Sequence, residues 1–331
     1  MSRGDDERRI RAVEVGEIVL GRYDLVEEIG KGSSSVFKAY DRRVRREVAI
    51  KRLRLDSDAV REARALGRLN HPNIVTLYDV IEDGSWSYLV MEYVDGETLL
   101  EILASGPIQP AASAAIASEI CRALEAAHKN GIVHLDVKPA NVLVSREGRV
   151  KVADFGIAAL LGGRGIGRAT LAYASPEQLT GGVVDEKSDI FSLGCVLYEM
   201  LTGKSPFMAA TGSGSVKKVL EYRPPAPDEL ARIPRGLGQV VMMAIEKDRE
   251  SRYGSASEFR GELEVFAGEE SIADLLRLRR RPPSSLLRQI VDFFRLLPLS
   301  PSGRYRLFSQ LAPDWPFSTV PRPFRWPSPS A

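Results

Sequence analysis

Apolar and polar residues alternate over residues 23–29 and again over 36–40, and Glu47-Val48-Ala49-Ile50-Lys51 supplies a third run of the same kind. A period of two predicts strands with one face turned inward. Gly30-Lys31-Gly32 lies between the first two runs, where glycine lets a backbone turn and come close to a ligand. Over residues 57–69 the period lengthens: Ala59, Val60, Ala63, Leu66 and Leu69 fall on one helical face, with Asp56 or Ser57 as its cap. Strands return at 74–81 and 87–94, joined through Glu82-Asp83-Gly84. From residue 97 the pattern is helical. Residues 111–130 carry Ile116, Ile120, Leu124 and Ala127 on one face, and Gly131 ends that helix. Val142-Leu143-Val144 and Val150-Lys151-Val152-Ala153 are two short strands joined by Ser145-Arg146-Glu147-Gly148, which predicts a hairpin. Asp189 to Gly194 opens a strongly apolar helix that reaches Leu201. Strands early and helices late predict an α+β protein.

Composition narrows the class. The chain has 331 residues, enough for a two-lobed enzyme with an extension, and its apolar content of 44% allows a sizeable core. A net charge of +2 gives no reason to expect a nucleic-acid partner. Cys121 and Cys195 lie in apolar, helix-like runs and read as core residues; with only three histidines, neither a zinc site nor a disulfide framework is expected. Residues 1–14 are charged throughout, unlike a signal peptide, and no run of 18 uncharged apolar residues exists. The expected location is therefore cytoplasmic. Residues 1–20 form a mixed-charge arm with little to bury.

The far end differs from the rest. Arg277, Arg279, Arg280 and Arg281 lead into Pro282-Pro283, and Leu286, Leu287, Ile290, Val291, Phe294 and Leu297 then share one helical face. Trp315, Phe317, Phe324 and Trp326 follow among prolines. Three roles stand open for this extension: packing on the body of the protein, binding a partner, or lying on an anionic membrane surface.

Charged chemistry concentrates around the hairpin. His134-Leu135-Asp136-Val137-Lys138-Pro139-Ala140-Asn141 sets Asp-x-Lys-x-x-Asn immediately before the first hairpin strand, and Asp154-Phe155-Gly156 follows the second. Closing the hairpin brings Asn141 and Asp154 together, and an amide oxygen beside a carboxylate is a hard-oxygen site suited to Mg²⁺. Asp136 is then placed to accept a hydroxyl proton, and Lys138 to neutralise a phosphoryl oxygen. A surface hairpin with incidental charges is the plainer reading, but two such loops in register argue against it.

These stretches resemble the catalytic and metal loops of eukaryotic-type (Hanks-type) protein kinases, and Ser175-Pro176-Glu177-Gln178 looks most like bacterial members. The resemblance covers about residues 20–267. It implies a two-lobed fold, with a small β-rich N-lobe over 21–94 and a larger helical C-lobe over 95–267, flanked by the 1–20 arm and the 268–331 extension. It implies ATP and Mg²⁺ as cofactors, and a protein substrate with a Ser or Thr acceptor, since Lys138 and Thr170 match Ser/Thr rather than Tyr members. Asp136, Lys138, Lys51 and Glu62 are then the catalytic set, with Lys51 holding the α- and β-phosphates and Glu62 pairing with it. Asn141 and Asp154 hold the metal. Ile29, Gly30, Gly32, Val36, Ala49, Lys51, Glu92, Val94 and Leu143 surround the nucleotide. Among them the Glu92 C=O and Val94 N–H read the adenine edge beside the gatekeeper Met91, and Val36, Ala49 and Leu143 sandwich the purine.

Three departures or details qualify the likeness. Counted back from Lys51, the glycine loop is one residue shorter than Gly-x-Gly-x-x-Gly-x-Val, and Ser33-Ser34-Ser35 replaces its third glycine. That departure keeps an ATP-binding pseudokinase scaffold as the alternative reading. Leu135 stands where most members have the Arg that receives an activation-loop phosphate, and residues 157–169 contain no Ser, Thr or Tyr. The resemblance also implies a buried bridge between Glu177 and Arg252, and a stack formed by Leu66, Leu77, His134 and Phe155.

Overall fold

The structure, a computed structural model, describes residues 15–30, 35–54, 60, 63, 67, 69–84, 86–155, 170–268 and 271–276. The early alternation becomes a six-stranded antiparallel sheet. Its strands are β1 (Ile18–Val19), β2 (Tyr23–Gly30), β3 (Ser35–Asp41), β4 (Arg46–Leu53), β5 (Leu77–Asp83) and β6 (Trp86–Glu92), in the order β1-β2-β3-β4-β6-β5. Both faces of this sheet are covered. Tyr23, Leu25, Phe37, Ala39, Val48, Ile50, Tyr88 and Val90 pack together on one. Ala49, Leu53, Val80, Leu89 and Met91 pack on the other, against Val60 and Ala63. Double coverage is why β4 and β6 bury consecutive residues, Val48-Ala49-Ile50 and Ser87 to Met91, instead of alternating. Val60 and Ala63 are helical and buried, as the sequence predicts. Gly67 is in a turn and the buried Leu69 is in neither helix nor strand, so the helix expected over 57–69 does not reach its expected end; Glu62 and Leu66 lie outside the described residues.

The second half is helical around one small sheet. β7 (Gly96–Thr98) pairs with β8 (Val142–Ser145), which pairs with β9 (Val150–Val152). The helices are α1 (Leu99–Leu103), α2 (Pro110–His128), α3 (Pro176–Thr180), α4 (Glu186–Thr202), α5 (Gly212–Glu221), α6 (Pro227–Leu230), α7 (Arg235–Ala244), α8 (Ala256–Glu264) and α9 (Ile272–Leu276). Pro110 opens α2 at its first turn, where no N–H is needed, and Ile116, Ile120, Leu124 and Ala127 are fully buried. From Ser188 to Leu201 every residue of α4 but Glu199 is buried, and the helix forms the centre of this lobe. Gly194 is required there: a Cβ on it would lie 2.7 Å from Ile245 Cγ2 and 2.8 Å from Ala244 Cβ, so α4 and the end of α7 could not pack as closely. Cys121 and Cys195 are both fully buried in helices of this core. The protein is thus α+β and two-lobed, a β-rich lobe followed by a helical one.

Three further expectations need correction. The arm over 1–20 is not wholly loose: Ile18–Val19 add β1 to the sheet, with Val19 buried, because Leu25 exchanges main-chain bonds with Gly16 and Glu17. The strand expected from residue 74 begins at Leu77, since Asn73 and Val75, on either side of Ile74, exchange main-chain bonds with Val152 of β9; its partner ends at Glu92 rather than Val94. The apolar helix starts at Glu186, capped by Asp185, so Asp189 lies inside its first turn and not at its mouth. α9 packs on α2 and on the hairpin turn, where Gly148 (φ +81°) leaves room: a Cβ there would stand 2.5 Å from the Ala273 nitrogen. The arginines and aromatics singled out beyond residue 276 lie outside the described residues. No described helix is long and apolar enough to cross a membrane.

Candidate active site

The charged loop between α2 and β8 is shaped from below by a carboxylate. Asp189 of α4 is fully buried, and its oxygens accept from the N–H groups of His134 and Leu135 (2.8 Å each) and from His128 Nε2 (2.8 Å). A buried carboxylate needs such donors, and here the donors are the loop's own backbone. His134 is buried beside Phe155, ring centroids 4.4 Å apart, and its Nε2 donates to the Ala153 carbonyl at 2.9 Å. Its Nδ1 is left as an acceptor for the Asp136 N–H at 3.2 Å. His134 and Phe155 meet as the expected stack requires, and Leu77 packs at the edge of the sheet's helix-covered face.

Asp136 comes out of this frame half-buried. Lys138 Nζ reaches both its oxygens at 2.9 and 2.7 Å, and Asn141 Nδ2 donates to its carbonyl at 2.9 Å and its Oδ2 at 3.0 Å. The Asp-x-Lys-x-x-Asn spacing therefore gathers its three side chains around one carboxylate. The hairpin then does what the spacing predicts. Val142 pairs with Val152, and the Ala153 N–H donates to the Asn141 carbonyl at 2.8 Å, so Asn141 and Asp154 flank one open end of the hairpin.

Asp154 carries φ +63°, a left-handed conformation that aspartate tolerates better than most residues. Its Oδ2 accepts from Lys51 Nζ of β4 at 2.6 Å, with both side chains mostly covered. The sheet and the hairpin are thus joined by an ion pair. The partner expected for Lys51, Glu62, lies outside the described residues.

The apolar candidates fall where strand register puts them. Val36 lies opposite Lys51 across β3 and β4, and Ala49 lies opposite Met91 across β4 and β6. Leu143 is half-buried on β8, Val94 is half-buried after β6, and Ile29 is exposed near the end of β2. Gly30 pairs with Val36; Gly32 lies outside the described residues. Glu92 brings a contact that sequence reasoning missed. Its carboxylate accepts from Lys151 Nζ at 2.8 Å and from the Thr76 N–H at 3.3 Å, linking the end of the sheet to β9. The neighbouring segment over 170–180 is tied into the core twice. Tyr173 O–H donates to Glu199 of α4 at 2.5 Å, where burial pushes the Glu199 carboxyl up. Arg252 donates to both oxygens of Glu177, at 2.8 and 3.0 Å, as expected.

Asp189 was the chief omission. Its sequence context shows only a helix start, although a lone carboxylate inside an apolar run is a signal, because burial demands donors from elsewhere in the chain.

Comparison with known proteins gives one family. The model of the protein kinase domain matches residues 23–260. A probable serine/threonine-protein kinase of Streptomyces coelicolor is 41% identical over 267 residues, covering 74% of this chain and 40% of that protein. The serine/threonine-protein kinase PknB of Mycolicibacterium smegmatis is 42% identical over 266 residues, covering 73% and 42%. PknB of Mycobacterium tuberculosis is 39% identical over 306 residues, covering 84% and 46%. The chain spans less than half the length of these relatives. The matched span holds both lobes and every charged group gathered at the hairpin, and on that ground the chain belongs to the protein kinase family.

Proposed function

We propose that this chain is an ATP-dependent serine/threonine protein kinase. One observation carries the reading: two ion pairs, Lys138–Asp136 and Lys51–Asp154, stand at the same open end of the β8–β9 hairpin. The names of the relatives support the choice of Ser and Thr as acceptors. Phosphoryl transfer asks a protein for positioning and charge stabilisation more than for covalent chemistry. Asp136 orients the acceptor hydroxyl and takes its proton, and Lys138 neutralises the moving phosphoryl group. Lys51, steadied by Glu62, holds the α- and β-phosphates under a loop that includes Ile29, Gly30 and Gly32. The purine lies between Val36, Ala49 and Leu143, with the Glu92 C=O and Val94 N–H at its edge.

The family uses ATP with Mg²⁺, and the donors here suit that ion. Among the described residues no group of three or more His, Cys, Asp or Glu is placed to hold a metal ion. Mg²⁺ asks for none, since it binds through one or two carboxylates with substrate phosphates and water. Asn141 turns its nitrogen to Asp136, which leaves its oxygen as the hard donor beside Asp154. When bound, Mg²⁺ neutralises charge on the β- and γ-phosphate oxygens.

The test is transfer of the ATP γ-phosphate to the protein itself and to a generic basic protein. Asp136→Asn is expected to lower the rate by about 10²–10⁴-fold, the usual value of a positioned base. A wild-type protein that transfers nothing in the presence of Mg²⁺ overturns the reading.

This kinase is also expected to work without activation-loop phosphorylation. Leu135 cannot receive a phosphate, and residues 157–169, which lie outside the described ones, offer no hydroxyl to carry it. Purified protein treated with a phosphatase, then freed of it, should keep its initial rate. Loss of most activity, restored by autophosphorylation between residues 157 and 173, would reverse this conclusion.

A further inference from the structure

Leu135 holds φ +61°, a left-handed conformation that a leucine adopts only when its surroundings impose it. Two bonds do so, one on each side of its Cα. Its N–H donates to Asp189 Oδ1 at 2.8 Å, and its C=O accepts from Gln178 Nε2 at 2.9 Å. The second bond spans 43 positions in the chain and comes from α3, on the segment that follows the activation loop. The same amide is used at its other end, where Gln178 Oε1 accepts from the Ser175 N–H at 2.9 Å. One neutral side chain therefore bridges two main-chain groups, one at the start of α3 and one on the residue that precedes Asp136.

We infer that Gln178 is a positioning residue: its amide ties the start of α3 to the catalytic loop and holds Leu135 in the conformation that aims Asp136. The inference rests on the kinase reading above and deepens it. In this chain the residue before Asp136 has no charge with which to answer a phosphate. The Gln178 bridge joins the same two segments by a contact that needs no modification. It depends on geometry alone, because an amide has both a donor and an acceptor at the required spacing.

Gln178→Glu tests this with almost no change of shape. The ionised carboxylate keeps the acceptor for the Ser175 N–H but has no donor for the Leu135 carbonyl. At neutral pH kcat should fall by about 10–100-fold, the scale of a small misplacement of a reacting group. The KM for ATP and the unfolding midpoint should stay near those of the wild type. Asp136, Lys138 and Asp189 carry the charges on the loop side, so kcat is read as the ratio to wild type at each pH, which removes their own titration. As pH falls and the new carboxyl takes a proton, it can donate again, and the ratio should rise. Gln178→Leu, with neither donor nor acceptor, should stay low at every pH. Wild-type kcat in Gln178→Glu at neutral pH overturns the inference. So does a deficit that ignores pH, or one matched by a lowered unfolding midpoint. A wild-type protein without transfer activity overturns the kinase reading and this inference with it, whereas an active wild type beside a normal Gln178→Glu overturns only the latter.

Discussion

Asp154→Ala should abolish phosphate transfer, a loss of about 10³-fold or more, equivalent to ~4 kcal/mol of transition-state stabilisation. Asp154 is a mostly covered carboxylate paired with Lys51, and it sits at the end of the hairpin beside Asn141 instead of in either apolar cluster. Removing it takes away the anionic metal donor proposed here and leaves the Lys51 ammonium to be held by other groups. The fold should survive. The local cost is that alanine accepts φ +63° less readily than aspartate does, a penalty of about 1–2 kcal/mol. Asp154→Asn removes the charge without that penalty, since asparagine is at ease in the left-handed region. Both variants should be inactive, and Asp154→Asn should unfold at nearly the wild-type denaturant midpoint. Transfer at the wild-type rate by either protein would show that the metal and phosphate assignment is wrong.

Arg252→Ala should act on stability instead, lowering it by about 3–5 kcal/mol, the usual result of leaving one member of a buried ion pair alone. The Arg252 side chain is fully covered, and its guanidinium makes five hydrogen bonds: two to Glu177 and three to the carbonyls of Glu246, Lys187 and Lys247. Burial pushes the Glu177 carboxyl up, but the bonds from Arg252 and from Ser188 Oγ outweigh it and hold the group down at about 2. The sign of the pH effect follows. A carboxyl whose folded pKa lies below the ordinary 4.5 adds stability that is complete above that value. The contribution is lost as pH falls from there toward about 2. Without Arg252 the buried Glu177 has its pKa pushed upward, so acid relieves the variant while it weakens the wild type. The stability gap measured by chemical denaturation should therefore be widest near neutrality and shrink below pH ~4.5. Arg252→Lys should fall between the two, because an ammonium cannot reproduce the two-pronged contact. A gap that stays constant with pH would mean that Glu177 is not the group left unpaired.

What sequence alone determined here is local. The strands of the first lobe were legible where one face dominates, as in β2 and β3, because a period of two survives when the two sides of a strand differ in burial. The candidate site was legible because its chemistry is packed into short spacings. Asp136, Lys138 and Asn141 lie on one loop, and a four-residue connection brings Asp154 back beside them. The longer contacts were decided only by tertiary structure. Asp189 meets Leu135 across 54 positions, and Lys151 meets Glu92 across 59. Lys51 finds Asp154 across 103. No periodicity announces such pairs, because each side chain's partner exists only once the intervening chain has been packed. The ends of the strands were settled in the same way: Ile74 leaves the expected strand because β9 takes the main-chain groups of its neighbours Asn73 and Val75. Even Leu135, conspicuous in sequence as a missing arginine, shows its physical role only in the fold. Its backbone is held in a strained conformation by a buried carboxylate on one side and an amide on the other.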